Sequence, residues 1–272
     1  MVAQGRERWE TGSPKLLCRV EDGVAVVTLN DPDHRNPLGY DLRPLLRALV
    51  DRIAQDDAVR CLLLTGAGNA FCAGGNAKAM ARDEQPPLEE RIRAIRWESE
   101  VVAVIHEMAK PSIAALPGPA AGAGFSLALA CDLRIAAESA SMVTAFKRLG
   151  LPGDFGGSWL LSQLVGPARA RELYFTSRKV SAVECERIGL VNRVVPDAEL
   201  MEQAMALARE LAEGPPIAYR WMKDNLNRAQ HASLRSCLAE EAERQCWAAE
   251  TEDFREATRA FVERRPPRFQ GR

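Results

Sequence analysis

Short apolar runs rich in branched residues recur along this 272-residue chain, and helical patterns fill the gaps between them. Residues 24–30 (VAVVTLN) and 60–65 (RCLLLT) are bounded by polar, Gly, Asn or Asp signals, so both are predicted to be buried strands. Between them, LRPLLRALVDRIA sets Leu42, Leu45, Leu46, Leu49, Val50 and Ile53 on one helical face, and Pro44 fits only in that helix's first turn. A mobile loop carrying Pro86 and Pro87 is expected next, then a helix from about Leu88 to Met108. Two further apolar runs, SIAALPG and DLRIAAES, complete the alternation, which specifies an α/β layered fold. After Pro167 the pattern becomes helical, and from Ile217 to Phe261 it is almost wholly so. The chain therefore divides into an α/β core over residues 1–200 and a helical region over 201–272.

Charge excludes some functions. Lys plus Arg (36) nearly balance Asp plus Glu (37), so the net charge of −1 offers no general attraction for nucleic acid or an anionic membrane. The Arg-rich tail from Arg264 to Arg272 is a candidate basic patch, and equally a solvated, frayed end. Seven cysteines without a C-x-x-C pair, with small neighbours around Cys72 and Cys131, fit the reduced, mostly buried thiols of an intracellular protein. The polar start is no signal peptide, and no apolar run approaches the ~20 residues of a membrane span. A cytoplasmic protein is expected.

Residues 117–132, PGPAAGAGFSLALACD, hold three glycines, five alanines and, before Asp132, one polar side chain, Ser126. TGAGNAFCAGGN (65–76) and GLPGDFGGSW (150–159) are also glycine-rich. None contains the Gly-Lys-Ser/Thr of a phosphate-binding P-loop or a strand-to-helix G-x-G-x-x-G, which argues against a nucleotide cradle. His34, His106 and His231 lie far apart without metal-ligand spacing, so no metal is expected. Gly124-Phe125-Ser126-Leu127-Ala128 approximates the serine elbow of α/β-hydrolases, an esterase reading. That elbow needs a strand running into the turn, which Gly118 to Ala123 do not favour, and a late histidine, for which only His231 is available. Small residues also let a ligand approach main-chain N–H groups. FSLALAC is a helix start whose free N–H groups face any negative charge in front of them. One donor from the AGGN loop and one from the AAGAG loop would make an oxyanion hole. Tight packing of loops on strands explains the same residues, and spacing alone does not choose.

Longer motifs do choose. FCAGGN (71–76), IAALPGPAAGAGFSLALACDLRIAAESA (113–140) and AFKRLGLPGDFGGSWLLSQLVG (145–166) resemble the enoyl-CoA hydratase/isomerase, or crotonase, superfamily. NDPDHRNPL (30–38), RIGLVNRVVP (187–196) and the late RAFVERR resemble its flanking motifs, so the resemblance runs from about residue 15 to 265. It implies a spiral of ββα turns followed by C-terminal helices that mediate oligomerisation, as homotrimers or hexamers. It also implies a coenzyme A thioester substrate, with no separate cofactor because coenzyme A arrives as part of that substrate. The oxyanion donors it implies are the N–H groups of Gly75 and Ala123. For coenzyme A it points to Arg35 to Leu38, to Ala73, Asn76, Ala77 and Lys78, and to basic residues such as Arg264. Gly122, Ser126 and Phe146 join the substrate contacts, and Met80 and Trp97 are candidate walls for the acyl group.

The departures carry the chemistry. Two glutamates hold water in hydratases of the superfamily, and their places fall on Ser126 and Phe146. Asn76 stands in place of a usual aspartate. One acid, Asp154, sits where isomerase-like members carry theirs. Among Leu151, Phe155 and Trp159 its pKa should be raised, which suits proton transfer; capping the helix that starts near Gly156 or Gly157 is the plainer role. A single carboxylate favours double-bond isomerisation over hydration. The alternatives are an enoyl-CoA hydratase, a non-catalytic scaffold and the Ser126 esterase.

Overall fold

The computed structural model describes residues 7–76, 80 and 86–272. Ten strands lie among the described residues: β1 (Glu7–Trp9), β2 (Leu16–Glu21), β3 (Val24–Leu29), β4 (Cys61–Gly66), β5 (Ser112–Leu116), β6 (Ala120–Ala121), β7 (Leu133–Ala137), β8 (Ser141–Val143), β9 (Val180–Ser181) and β10 (Arg193–Val195). A seven-stranded sheet runs β1-β2-β3-β4-β5-β7-β10. The β1–β2 and β2–β3 pairs are antiparallel, and every pair from β3 to β10 is parallel. Parallel strands need crossovers. Helix α1 (Leu42–Gln55) supplies the one from β3 to β4, and α2 (Leu88–Glu107) belongs to the one from β4 to β5. Strand β4 is buried along its whole length, which its unbroken apolar run anticipates.

A second layer is short and holds the loops that matter. It contains β6, β8 and β9, and isolated bridges Cys72↔Ala120 and Leu38↔Gly75 extend it toward the chain's first third. Each turn of the chain thus lays one strand in the large sheet and one short segment in the small layer, which is the expected ββα spiral. Helix α3 (Ala123–Ala130) follows β6 and packs against it and against α2. All eight of its residues are buried, so a helix apolar on every side is what its surroundings require. Burial of Phe125 alone is worth about 1.5–3 kcal/mol.

Helix α4 (Gly157–Thr176) is broken inside by Gly166, at φ 76° and ψ 161°, followed by Pro167. Its two halves fold back on one another. Helices α5 (Ala182–Arg187) and α6 (Leu200–Glu213) follow. Leu200, Ala204, Met205, Ala208 and Ala212 of α6 are buried against the sheet. The change in character comes after Gly214. Helices α7 (Pro216–Ala229) and α8 (Leu234–Ala249) bury no residue fully, and α9 (Glu252–Glu263) buries only Asp253 and Ala260. Lys223 anchors α7, its ammonium donating to Ile105 O, Lys110 O and the Asp132 carboxylate at 2.8–3.1 Å.

The Arg-rich tail is held rather than frayed. Asp253 accepts from the N–H groups of Gln270 (2.6 Å) and Gly271 (2.8 Å), and Arg60 donates to Phe269 O at 3.0 Å. Five cysteines (18, 61, 72, 131 and 185) are buried, Cys237 is half-buried and Cys246 exposed. No described helix is long and apolar enough to cross a membrane.

Candidate active site

Two glycine loops meet in the small layer. Leu38 N–H donates to Gly74 O at 2.7 Å, and in a parallel bridge of this register the N–H of the facing Gly75 points the other way. On that other side runs the 120–123 segment, tied on by Ala121 N–H donating to Cys72 O at 2.9 Å. The approach is close enough to demand glycine. Gly74 holds φ 86°, and a Cβ there would stand 2.6 Å from Ala121 O and 3.3 Å from Ala123 N. Gly122, at φ 53° and ψ −124°, turns the chain into α3, so Ala123 opens the helix with an N–H that has no intrahelical acceptor. The donor-bearing residues of the two loops are therefore neighbours.

Asp154 lies in the loop before α4. Its Oδ1 is enclosed and has no hydrogen-bond partner among the described residues. Burial pushes the carboxyl above the ordinary carboxylate range, and the Arg43 guanidinium pulls it part of the way back. The N-cap of α4 is Gly156, without a side-chain cap, so the capping role for Asp154 does not hold. Of the three apolar neighbours expected, Phe155 is buried, whereas Leu151 and Trp159 are each more than two-fifths exposed. Trp159 packs its ring edge-to-face with His106 at 5.4 Å.

The two positions matching the glutamates are closed to acid–base chemistry. Ser126 is fully buried as the fourth residue of α3, with its hydroxyl donating to Asp154 O at 3.1 Å. An esterase serine sits exposed at a strand-to-helix turn; Ser126 does not, and the esterase reading fails on that geometry. Phe146 stacks on Tyr174, ring centroids 5.9 Å apart and 13° from parallel. Ser126→Ala is expected to keep turnover and lose about 1 kcal/mol of stability, the worth of one hydrogen bond. Thermal melting and steady-state kinetics read both, and a serine-directed phosphonate should leave the native protein unlabelled.

Arg43 was not anticipated. It is buried on α1, donating from Nε to Leu38 O (3.1 Å) and from Nη1 to the buried Glu98 carboxylate (3.3 Å). Its guanidinium lies 5.7 Å from the Phe155 ring centroid, and its Nη2 is 3.4 Å from where a Gly75 Cβ would be. A cation thus stands between the glycine loops and Asp154. Met80 also covers Gly75, its methyl filling the space a Cβ would need.

The remaining expectations divide. Arg35 is exposed at φ 61°, and its carbonyl accepts from Ala73 N–H at 2.8 Å, which brings Arg35, Leu38, Ala73, Gly75 and Asn76 onto adjoining segments. Asn36, unnoticed in the sequence, clamps this turn by donating to Ala67 O and Ala70 O at 2.9 and 2.8 Å. Ala77 and Lys78 lie outside the described residues. Trp97 is half-exposed under the Arg47 guanidinium, 5.8 Å from its ring centroid. Arg264 ends α9, which with the tail packs beside the β2–β3 turn around a cleft of about 1480 Å³. That is the opposite end of β3 from the Arg35 segment, so within its own chain Arg264 is not brought to the site.

Backbone N–H groups beside a half-buried carboxyl are an arrangement able to steady a carbonyl oxygen while a proton moves. Comparison with known proteins gives the class. The family model for enoyl-CoA hydratase/isomerase matches residues 19–272, and the chain belongs to that family. The 1,2-epoxyphenylacetyl-CoA isomerase of Escherichia coli K12 is 38% identical, over 94% of this chain and 98% of its own. A short-chain-enoyl-CoA hydratase of Clostridium acetobutylicum is 37% identical, over 92% of this chain and 95% of its own. Among solved structures, an enoyl-CoA hydratase from Polaromonas sp. JS666 superposes with a TM-score of 0.89 at 31% identity, covering 94% of this chain and 99% of that one. These relatives are named as enzymes, which leaves the scaffold reading without support.

Proposed function

We propose that the protein moves the double bond of an enoyl-CoA thioester. The observation that carries this reading is Asp154: a buried carboxyl oxygen beside the glycine loops, without a partner among the described residues, and no acid at the two positions where hydratases keep glutamates. The ionised carboxylate takes a proton from the α-carbon of a 3-enoyl thioester. The electron pair moves into the thioester, and its carbonyl oxygen becomes the oxyanion of a dienolate held by the Gly75 and Ala123 N–H groups. Protonated Asp154 returns the proton at the far end of the dienolate, giving the 2-enoyl thioester with no net change in atoms or charge. The buried Arg43 cation favours both the ionised acid and the negative intermediate.

Coenzyme A is assigned to the Arg35–Leu38 turn and the Ala73–Asn76 loop, whose exposed edges adjoin the donors. A homotrimer is assigned to the C-terminal helices. Leu226, Leu234, Trp247, Phe261 and Val262 are each more than half exposed there, an unpartnered apolar surface that self-association would cover.

Incubating purified protein with separate panels of 2-enoyl- and 3-enoyl-CoA thioesters, followed by mass spectrometry, tests the reaction. A product of unchanged mass and shifted retention from the 3-enoyl thioester is expected. A product heavier by one water from a 2-enoyl thioester would replace isomerisation by hydration, a reaction named among the relatives.

A further inference from the structure

The break in α4 places a phenol beside the acid. Gly157 and Tyr174 are 17 positions apart, which a straight helix would spread over about 26 Å at 1.5 Å per residue. Yet a Cβ on Gly157 would stand 2.8 Å from the Tyr174 hydroxyl and collide with the Ser126 hydroxyl. A Cβ on Gly153, the residue before Asp154, would stand 3.3 Å from the same phenol oxygen. The Asp154 loop is therefore wrapped around the Tyr174 hydroxyl, and the stack on Phe146 fixes the direction of the ring.

Two complementary atoms are left over at this place. Tyr174 Oη is enclosed, carries a proton to donate and has no partner among the described residues; Asp154 Oδ1 is enclosed, can only accept when ionised and has none either. Donors of neighbouring side chains are partly engaged elsewhere. Ser126 gives its hydroxyl proton to Asp154 O, and Arg43 gives Nε and Nη1 to Leu38 O and Glu98. Burial pushes the phenol up to about 12, and the Asp154 charge adds to that rise, so the two groups sense each other and the phenol keeps its proton at working pH. Among the described residues, the charged and titratable groups facing Asp154 are thus Arg43 from α1, itself paired with Glu98 from α2, and Tyr174 from α4.

We propose that Tyr174 is the positioning residue of the proton shuttle, donating a hydrogen bond to Oδ1 of ionised Asp154 and so turning the second carboxylate oxygen toward the substrate. The proposal rests on Asp154 being the acid–base group. The hydrogen bond fixes the orientation of the ionised carboxylate before proton abstraction and weakens once the carboxyl is protonated. A hydrogen bond to an ionised group lowers its pKa, so losing the phenol raises it.

Tyr174→Phe keeps the ring and the stack and removes only the hydroxyl. Aspartate labelled with ¹³C at the carboxyl, with the Asp154 resonance assigned through Asp154→Asn, reads the titration directly and without turnover. In Tyr174→Phe the Asp154 carboxyl is expected to titrate at higher pH than in the parent. The acid limb of the kcat/KM profile should move the same way, and kcat should fall about tenfold with KM nearly unchanged, because the carboxylate loses its fixed orientation toward the substrate. Replacing Tyr174 by 3,5-difluorotyrosine, a more acidic donor, should move the carboxyl titration downward, a response that a purely packing role would not give. An Asp154 titration identical in all three proteins would overturn the proposal. If instead Asp154→Asn proves fully active while Tyr174→Phe shifts the titration, the acid–base reading falls and the hydrogen bond stands.

Discussion

Asp154→Asn is expected to lower kcat on the enoyl-CoA substrate about a thousandfold, within the range that a positioned proton-transfer group contributes. Asparagine keeps the size and planarity of the side chain but neither accepts nor returns a proton at working pH. The loss should appear in kcat and leave binding of the thioester almost intact, because the backbone donors and the coenzyme A segments are untouched. Stability should move the other way. Burial raises the folded-state pKa of Asp154, so the carboxyl's favourable contribution is complete below the ordinary carboxylate range. That contribution is lost as pH rises through the raised value, and the ionised, buried group is a burden at neutral pH. The neutral amide removes that burden. A melting temperature held or raised at pH 7, beside a collapsed kcat, is the expected pair of results from thermal melting and steady-state kinetics. Near-normal turnover would end the assignment of Asp154.

Ala123→Pro should be almost as damaging. Removing one donor from an oxyanion hole costs about 2.7–4 kcal/mol of transition-state stabilisation, a fall of about 10²–10³ in kcat. Proline at the first position of a helix deletes an N–H that has no intrahelical acceptor, and its fixed φ already suits that place. The preceding Gly122 has no Cβ to meet the ring, and at ψ −124° it lies outside the α region that a following proline disfavours. The substitution therefore removes the donor with little demand on the fold. Circular dichroism should be unchanged while turnover drops; unchanged turnover would show that Ala123 N–H does not hold the carbonyl oxygen.

What the sequence disclosed follows from how local each signal is. Strands β3 and β4 are unbroken apolar runs, and α1 carries its buried face at helical spacing, so all three are legible in a window of ten residues. Strand β2 was missed because Arg19 and Glu21 interrupt it and Leu17 faces outward. The Asp22-Gly23 turn, both residues at positive φ, was the available hairpin signal. Asp154 and the two glycine loops were legible as motifs. Arg43 and Tyr174 were not, and for a physical reason. Arg43 reads as an ordinary helix-surface cation, and its burial depends on Glu98, 55 residues away. Tyr174 reads as one more apolar residue of a helix, and only the backbone reversal at Gly166–Pro167 carries it to the acid.

The contact between the Gly74 and Gly122 turns has a consequence for how such a protein changes over generations. The groups proposed to hold the oxygen belong to the peptide backbone, and almost every codon change leaves a peptide N–H in place. What a codon change readily alters is where an acid stands. With Ser126 and Phe146 in two old positions and Asp154 in a third, a lineage could exchange one reaction for another while the thioester clamp is inherited unaltered.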